Sequence, residues 1–310
     1  MNTKLTELLN IKYPIIQGAM AWVSEANLAA SVSNSGGAGV IATGGRDISW
    51  VKEQIDLAKS LTDKPFGVNI VLMDKDKEEK IDLICKEKVS FVTLGAGNPV
   101  PYFEKLKKSG IISIPVVPSL KLAKRVEEKG ADAIIIEGLE AGGHIGSLTT
   151  MALMTQVIPE INIPVIAAGG FADGRGLAAA LVMGASGIQV GTRFYASKEC
   201  TAHINSKNAI INAGDTDTVI TGYLHGTSVR GLKNKMTEKY LELEKEHAQY
   251  EKLHNLIVGS SKKAPLEGDV EWGHVQAGQS LSIIKSIDSC KDIINNMISE
   301  AKEAINNIEI

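Results

Sequence analysis

Cysteine is scarce. Cys85, Cys200 and Cys290 are all that a chain of 310 residues carries. They are odd in number and far apart, so they offer neither a disulfide framework nor a metal-binding spacing, and a reducing cytoplasm is the expected setting. Excess charge of one sign is nearly absent as well: 33 Lys and Arg face 36 Asp and Glu, a net −3. That balance argues against broad electrostatic binding to nucleic acid or a membrane. Local basic clusters (Lys105, Lys107 and Lys108; Lys121, Lys124 and Arg125; Lys262 and Lys263) read as solvated helix faces, one of which could dock an acidic partner. No long apolar run occurs. The most membrane-like charge-free stretch, Gly176 to Thr192, is broken by Gly184, Gly187 and Gly191 and reads as helix, turn and strand. Met1 to Asn10 alternates polar and apolar residues and carries Glu7, unlike a signal peptide. A nucleophile elbow, a Walker loop and a G-x-G-x-x-G after a strand are all missing. So is any grouping of His, Cys and carboxylates that would hold a catalytic transition metal.

What is present is an ordinary globular composition, 44% hydrophobic and 22% charged, with a strong rhythm. Short apolar runs begin at residues 15, 38, 66, 91, 111, 133, 164 and 187. The interval between starts is what one strand, one helix and two loops require. The runs are nearly continuous β-branched sequence, as in parallel strands covered on both faces. Trp50 to Leu61, Ile81 to Lys88, Lys105 to Ser109 and Leu120 to Lys129 have the polar and apolar spacing of intervening helices. Eight such beats predict an α/β fold, a TIM-type (β/α)8 barrel. Pro115 within the fifth run is awkward for a central strand.

The rhythm breaks after Thr192. Lys198 to Ala213 reads as a helix, and Asp217 to Arg230 could hold short strands. Met236 to Ile257 reads as one long amphipathic helix, Ser260 to Asp269 as a polar loop, and Ser280 to Ile308 as helix again. The expected organisation is a barrel over 1–198, completed by helices within 276–310, with a small, mainly helical unit appended over 199–275. That unit would be a lid for substrate or nicotinamide.

Barrels of this type bind ligands at the carboxyl ends of their strands. Those ends read Gly18-Ala19-Met20, Thr43-Gly44-Gly45, Asn69, Gly95-Ala96-Gly97, Glu137-Gly138, Gly169-Gly170 and Gly191-Thr192. Glycine at nearly every one points to a flat ligand lying close across the mouth. Gly169-Gly170 and Gly191-Thr192 follow the seventh and eighth strands, where backbone N–H groups can cradle a phosphate, with Thr192 adding a hydroxyl and Arg193 a charge. Past the sixth strand comes Glu140-Ala141-Gly142-Gly143-His144-Ile145-Gly146, an imidazole among glycines where an acid–base group is expected, though a tight turn would also account for it. The other histidines carry weaker signals. His203 follows Glu199 at helical spacing, as in a surface pair. His247 and His254 lie near the apolar side of the long helix, and His225 and His274 fall in loops that could touch substrate.

Taken together, several motifs resemble the FMN-dependent nitronate monooxygenase family, which takes in bacterial enoyl-acyl-carrier-protein reductases. They are Pro14 to Met20, Gly67-Val68-Asn69, Glu140 to His144, Ala168-Gly169-Gly170, Gln189 to Phe194 and Ala277-Gly278-Gln279. The resemblance spans essentially the whole chain and implies an FMN-binding barrel. It implies an isoalloxazine over Gly18, Ala19, Met20 and Asn69, edged by Glu137, Gly142 and Gly143. The phosphate would lie at Gly169, Gly170, Gly191 and Thr192, with Gln189 also at the cofactor and His144 as the catalytic histidine. In the monooxygenase branch that histidine takes a proton α to a nitro group. In the reductase branch NADH or NADPH reduces FMN and a 2-enoyl thioester is then reduced, the histidine polarising its carbonyl or assisting protonation. The monooxygenases usually carry Gln where this chain has Glu137, so the resemblance favours a reductase of bacterial fatty-acid elongation. It also implies an acyl carrier protein as partner, a homodimer, and possible use of a monovalent cation.

Overall fold

The computed structural model describes residues 1–308. Ten strands and a two-residue ladder segment form two sheets. In chain order they are β1 Ile15–Gln17, β2 Gly39–Ala42, β3 Phe66–Val71, β4 Phe91–Gly95, β5 Ile112–Val117, β6 Ile134–Glu137, β7 Gly143–His144, β8 Val165–Ala168, β9 Gly187–Val190, β10 Thr218–Thr221 and β11 Val229–Leu232. Eight of them are parallel neighbours in the order β1-β9-β8-β6-β5-β4-β3-β2. The two ends of that row meet at a parallel bridge between Ile16 and Ala38. There the Gln17 N–H donates to the Ala38 carbonyl and the Ala38 N–H to that of Ile15, both at 2.9 Å. The sheet is therefore a nearly closed barrel with flanking helices, as the eight beats predict.

Side chains alternate across it. Ile16, Val40, Phe91, Ile114, Ile135 and Ile166 fill the barrel, and Leu5 and Leu9 of the first helix, Lys4–Leu9, pack among them. The opposite faces of the strands pack on the helices, for example Val68 and Val92 with Ile55 and Ile81. Room inside is made by residues without side chains. A Cβ on Gly67 would come within 2.4 Å of the Phe91 ring, and one on Gly187 within 2.6 Å of Leu5.

Pro115 is accommodated in a central strand by local chemistry. Ile112 donates its N–H toward β4, to the Ser90 carbonyl, so the N–H groups of alternate residues face β6. On that side the Ser113 N–H is taken by the Asp132 carboxylate at 2.8 Å, and Pro115 has none to offer. Regular pairing with β6 begins only at Val116, opposite Ile135.

The later part of the chain departs from expectation at several points. The helix expected over Lys198 to Ala213 is only Ile204–Ile211. The long helix from Met236 is two, Lys235–Lys245 and Tyr250–Ile257, separated where His247 adopts φ 51°. The Ser260 to Asp269 stretch is not an open loop: Ser260–Lys262 and Lys263–Glu267 are helical turns. The short strands expected near Asp217 to Arg230 are β10 and β11, and they recruit β7 into a three-stranded sheet ordered β10-β11-β7. The last helix is Cys290–Asn306, which packs back on the barrel helix Gly174–Val182; a Cβ on Gly174 would meet the Met297 carbonyl oxygen at 2.2 Å. Residues 309 and 310 of the expected final stretch lie outside the described residues. Among the described residues no helix is long and apolar enough to cross a membrane.

Candidate active site

The mouth of the barrel is built from short, heavily cross-braced turns. β1 ends in Gln17, fully buried, whose amide nitrogen donates to the Gly18 carbonyl (2.5 Å) and to the Ser24 hydroxyl (3.0 Å). Its amide oxygen accepts the Val40 N–H at 3.0 Å, and Ser24 accepts that of Met20 at 2.9 Å. These bonds fix the Gly18-Ala19-Met20 turn. Gln189 lies against it, its Cγ 3.3 Å from where a Gly18 Cβ would be.

Asn69 is held similarly. Its amide nitrogen donates to the Thr93 hydroxyl at 3.0 Å, and its carbonyl accepts from Thr43 at 2.7 Å. The Thr43 carbonyl accepts in turn from Lys80, a lysine only 1% exposed that also pairs with Asp74 and Asp76 at 2.9 Å. A buried ammonium persists there because two carboxylates and a carbonyl replace its water.

Glu137 terminates β6 and lies on the cleft with no hydrogen-bond partner for its carboxyl among the described residues. Burial alone pushes that carboxyl up to about 7. Glu140 has a different task. Its carboxylate accepts from the Thr150 N–H at 2.8 Å and from the Thr150 hydroxyl at 2.9 Å, capping the helix Thr150–Val157. The intervening glycines let two backbones touch: a Cβ on Gly142 would be 2.7 Å from the Ala277 carbonyl carbon. The Gln279 N–H donates to the Glu140 carbonyl at 2.9 Å.

His144 is not on a free loop. β7 pairs antiparallel with β11, His144 opposite Val229 and Gly143 opposite Arg230, and the Ile145 N–H donates to Ser228 at 3.1 Å. The exposed His144 side chain lines the cleft. Close to it is His274, 8% exposed, with its Nε2 unbonded and packed where a Gly231 Cβ would be 2.3 Å away. Burial first, and the neighbouring His144 second, push His274 down to about 4. At neutral pH it therefore places no charge beside His144.

The far side of the cleft is a bed of backbone donors. Gly169 and Gly170 both have positive φ, 92° and 84°. Among the described residues the N–H groups of Gly170 and Gly191 meet no acceptor. The Thr192 hydroxyl accepts from the Gly278 N–H at 3.0 Å and keeps its own proton to donate. Arg193 is not available there. The residue is 9% exposed, and its guanidinium bonds to the Ala196 and Ser286 carbonyls and to Asp288.

Apart from Arg193, every residue assigned from sequence to catalysis or to the cofactor lines this one cleft: His144, then Gly18, Ala19, Met20, Asn69 and Glu137, then Gly142, Gly143, Gly169 and Gly170, then Gln189, Gly191 and Thr192. The remaining histidines divide. His274 reaches the cleft. His203 caps the helix Ile204–Ile211 by accepting the Asn205 N–H at 3.1 Å, while Glu199 accepts from the Cys290 N–H, so they are not a pair. His247 is exposed, and His254 stacks on Tyr250 with ring centroids 5.7 Å apart. His225 meets the edge of the same Tyr250. Sequence reasoning missed Trp22, Ser261, Pro265 and Gln276, all on the cleft. Trp22 has φ 72° and lies between Arg46 and Lys262, 4.7 and 4.3 Å from its ring centroid. Only the neighbouring Gly18-Ala19-Met20 motif could have drawn attention to it.

Comparison with known proteins agrees with this geometry. A sequence model of the nitronate monooxygenase family matches residues 2–80 and 75–300. The chain belongs to that family. It is 34% identical to a probable nitronate monooxygenase of Staphylococcus saprophyticus, covering 99% of each chain. It is 32% identical to an octahydro-indene-carboxyl-CoA dehydrogenase of Rhodococcus jostii, covering 98% of this chain and 97% of the other. Among solved structures, FabK from Thermotoga maritima superposes with a TM-score of 0.96 at 44% identity, over 99% of this chain and 98% of the other. The protein is a flavin-dependent oxidoreductase. Its residues fit an FMN: unpartnered N–H groups at Gly170 and Gly191 suit a phosphate, and Gly18, which adds no side chain beside Gln189, leaves backbone at the cleft for a flat ligand to approach.

Proposed function

We propose that the protein is an FMN-dependent enoyl-acyl-carrier-protein reductase, using NADH or NADPH to reduce the 2,3 double bond of trans-2-enoyl thioesters. The observation that carries this reading is the likeness to FabK, an enoyl-acyl-carrier-protein reductase, which extends along the full chain at higher identity than to the named monooxygenase. Two further points support it. By the sequence resemblance, Glu137 stands where the monooxygenases usually have Gln. One relative is itself named for a carboxyl-CoA substrate.

Gly18, Ala19, Met20, Asn69 and Gln189 would support the flavin ring, and Gly169, Gly170, Gly191 and Thr192 its phosphate. When bound, the flavin supplies two-electron chemistry between the nicotinamide and the β-carbon of the thioester. The protein's own work is on the proton and on orientation. His144 Nδ1 or Nε2 hydrogen-bonds the thioester carbonyl, where negative charge gathers once the β-carbon is reduced, and assists proton delivery. His274, held neutral, leaves that charge to be met by His144 alone. The segment 199–275 serves as a lid, contributing Ser261, Pro265 and His274 to the cleft wall. The acyl substrate arrives on an acyl carrier protein, and the working form is a homodimer.

Anaerobic half-reactions test the reading. NADH or NADPH should bleach the flavin, and crotonyl thioester should restore its colour. A flavin that nicotinamide leaves oxidised, or that crotonyl thioester leaves reduced, rules the reductase out. A second reading, a nitronate monooxygenase, is favoured by the names of the Staphylococcus relatives. It requires rapid turnover of propionate 3-nitronate with oxygen and without nicotinamide.

A further inference from the structure

A second cleft opens beside the first and shares Ala19, Asn69, Glu137, His144 and Gln189 with it. From that junction it runs outward between the ends of β4 and β5 and the β7 segment. Beyond the shared residues its walls are Thr93, Gly95, Ala96, Val116, Pro118 and Ile145, mainly apolar and without a charged side chain. The reason it exists is legible along β4. Phe91, Thr93 and Gly95 point to the same side, because strand side chains alternate. Phe91 fills the barrel floor, Thr93 holds Asn69, and Gly95 presents nothing. A Cβ added at Gly95 would find no atom within 4 Å. The outer end is open, since Ala96 and Pro118 are exposed.

Resting on the reductase reading, we propose that this arm is the acyl-chain site, taking the aliphatic tail of the thioester beyond its β-carbon. Polar groups suited to a thioester carbonyl gather at the junction, and beyond it the one polar side chain is Thr93, whose hydroxyl already accepts from Asn69. The absent side chain at Gly95 sets the width of the arm. The protein should accordingly prefer medium-length chains to the four-carbon crotonyl group, because each methylene buried contributes about fourfold in affinity.

The experiment compares crotonyl-CoA with trans-2-decenoyl-CoA on the flavin-loaded enzyme and on Gly95→Leu, with flavin content and thermal midpoint as folding controls. Binding of saturated decanoyl-CoA is followed by calorimetry. The expected result is a roughly tenfold fall in the decenoyl-to-crotonyl ratio of kcat/KM, with crotonyl turnover kept and decanoyl-CoA binding weakened to match. Ile145→Ala, which removes an outer wall without filling the arm, should lower the same ratio by a few-fold. Equal effects on both substrates, or an unchanged ratio in both variants, overturn the proposal. If the parent enzyme reduces no enoyl thioester, the reductase reading fails, and decanoyl-CoA binding then decides the arm on its own. Parent binding lost in Gly95→Leu supports it, and binding equal in both removes it.

Discussion

Two residues of the cleft differ in what holds them. His144 is exposed and its ring is free to move a proton, and His144→Ala should retain flavin while losing about 10²–10⁴-fold in thioester turnover, the range for a positioned acid–base group. Stopped-flow reoxidation by crotonyl thioester measures this, and unchanged turnover would remove His144 from the chemistry. Glu137 is one residue through which stability should depend on pH. Its folded value, about 7, lies above the ordinary 4.5. The folded chain therefore holds this proton more tightly than the unfolded chain. The contribution to stability is whole below pH 4.5, is lost as pH rises to 7, and is constant above that. The shift corresponds to about 3 kcal/mol. In the flavin-free protein, Glu137→Gln should match the parent below pH 4.5 and be more stable above 7 in urea melts. Parallel pH curves for the two proteins would contradict that assignment.

At the scale of elements, the site depends on how the β7 segment is clamped. Glu140 caps one helix, its carbonyl receives Gln279, and β7 is zipped to β11. Glu140→Ala should cost about 1 kcal/mol for the lost cap. It should also lower kcat more than flavin affinity, because it loosens the strand bearing His144. A variant with normal kcat and only a lower melting midpoint would confine Glu140 to capping. This arrangement explains what could and could not be read from the residues. The glycine cluster and His144 are legible because their chemistry is local. The partner strand is not: β11 lies more than eighty residues away, and β7 is too short to carry an alternating pattern. The same limit applies to His274, whose significance comes from packing over Gly231. It also applies to Arg193, where a nearby charge was expected to serve the phosphate and instead ties down Ser286 and Asp288. The long helix predicted from Met236 fails for a related reason. Apolar spacing continues through the break, but nothing periodic marks the left-handed turn at His247.

The whole barrel was legible because its eight strands recur at intervals that each hold one helix and two loops, and because buried parallel strands leave unbroken apolar runs. What the interval cannot state is how the interior is filled. That depends on bare positions facing large ones across neighbouring strands: Gly67 stands opposite Phe91 in the β3–β4 register. Gly67→Ala would press a methyl to within 2.4 Å of that ring, against a fully buried neighbour that cannot move into solvent. Overpacking of this kind costs about 1–3 kcal/mol. Phe91→Leu alone should also destabilise, by leaving part of the floor empty. The pair should be less damaging than the sum of the two, because the smaller side chain makes room for the added methyl. A double-mutant cycle in urea, with flavin content recorded, checks this, and strict additivity would mean that the two residues do not share the barrel floor. Because Thr93 and Gly95 continue the same inward row above Phe91, a shifted ring should also be felt at Asn69 and the cleft. The single Gly67→Ala variant is therefore expected to lose flavin affinity along with stability, and the double variant to regain part of both.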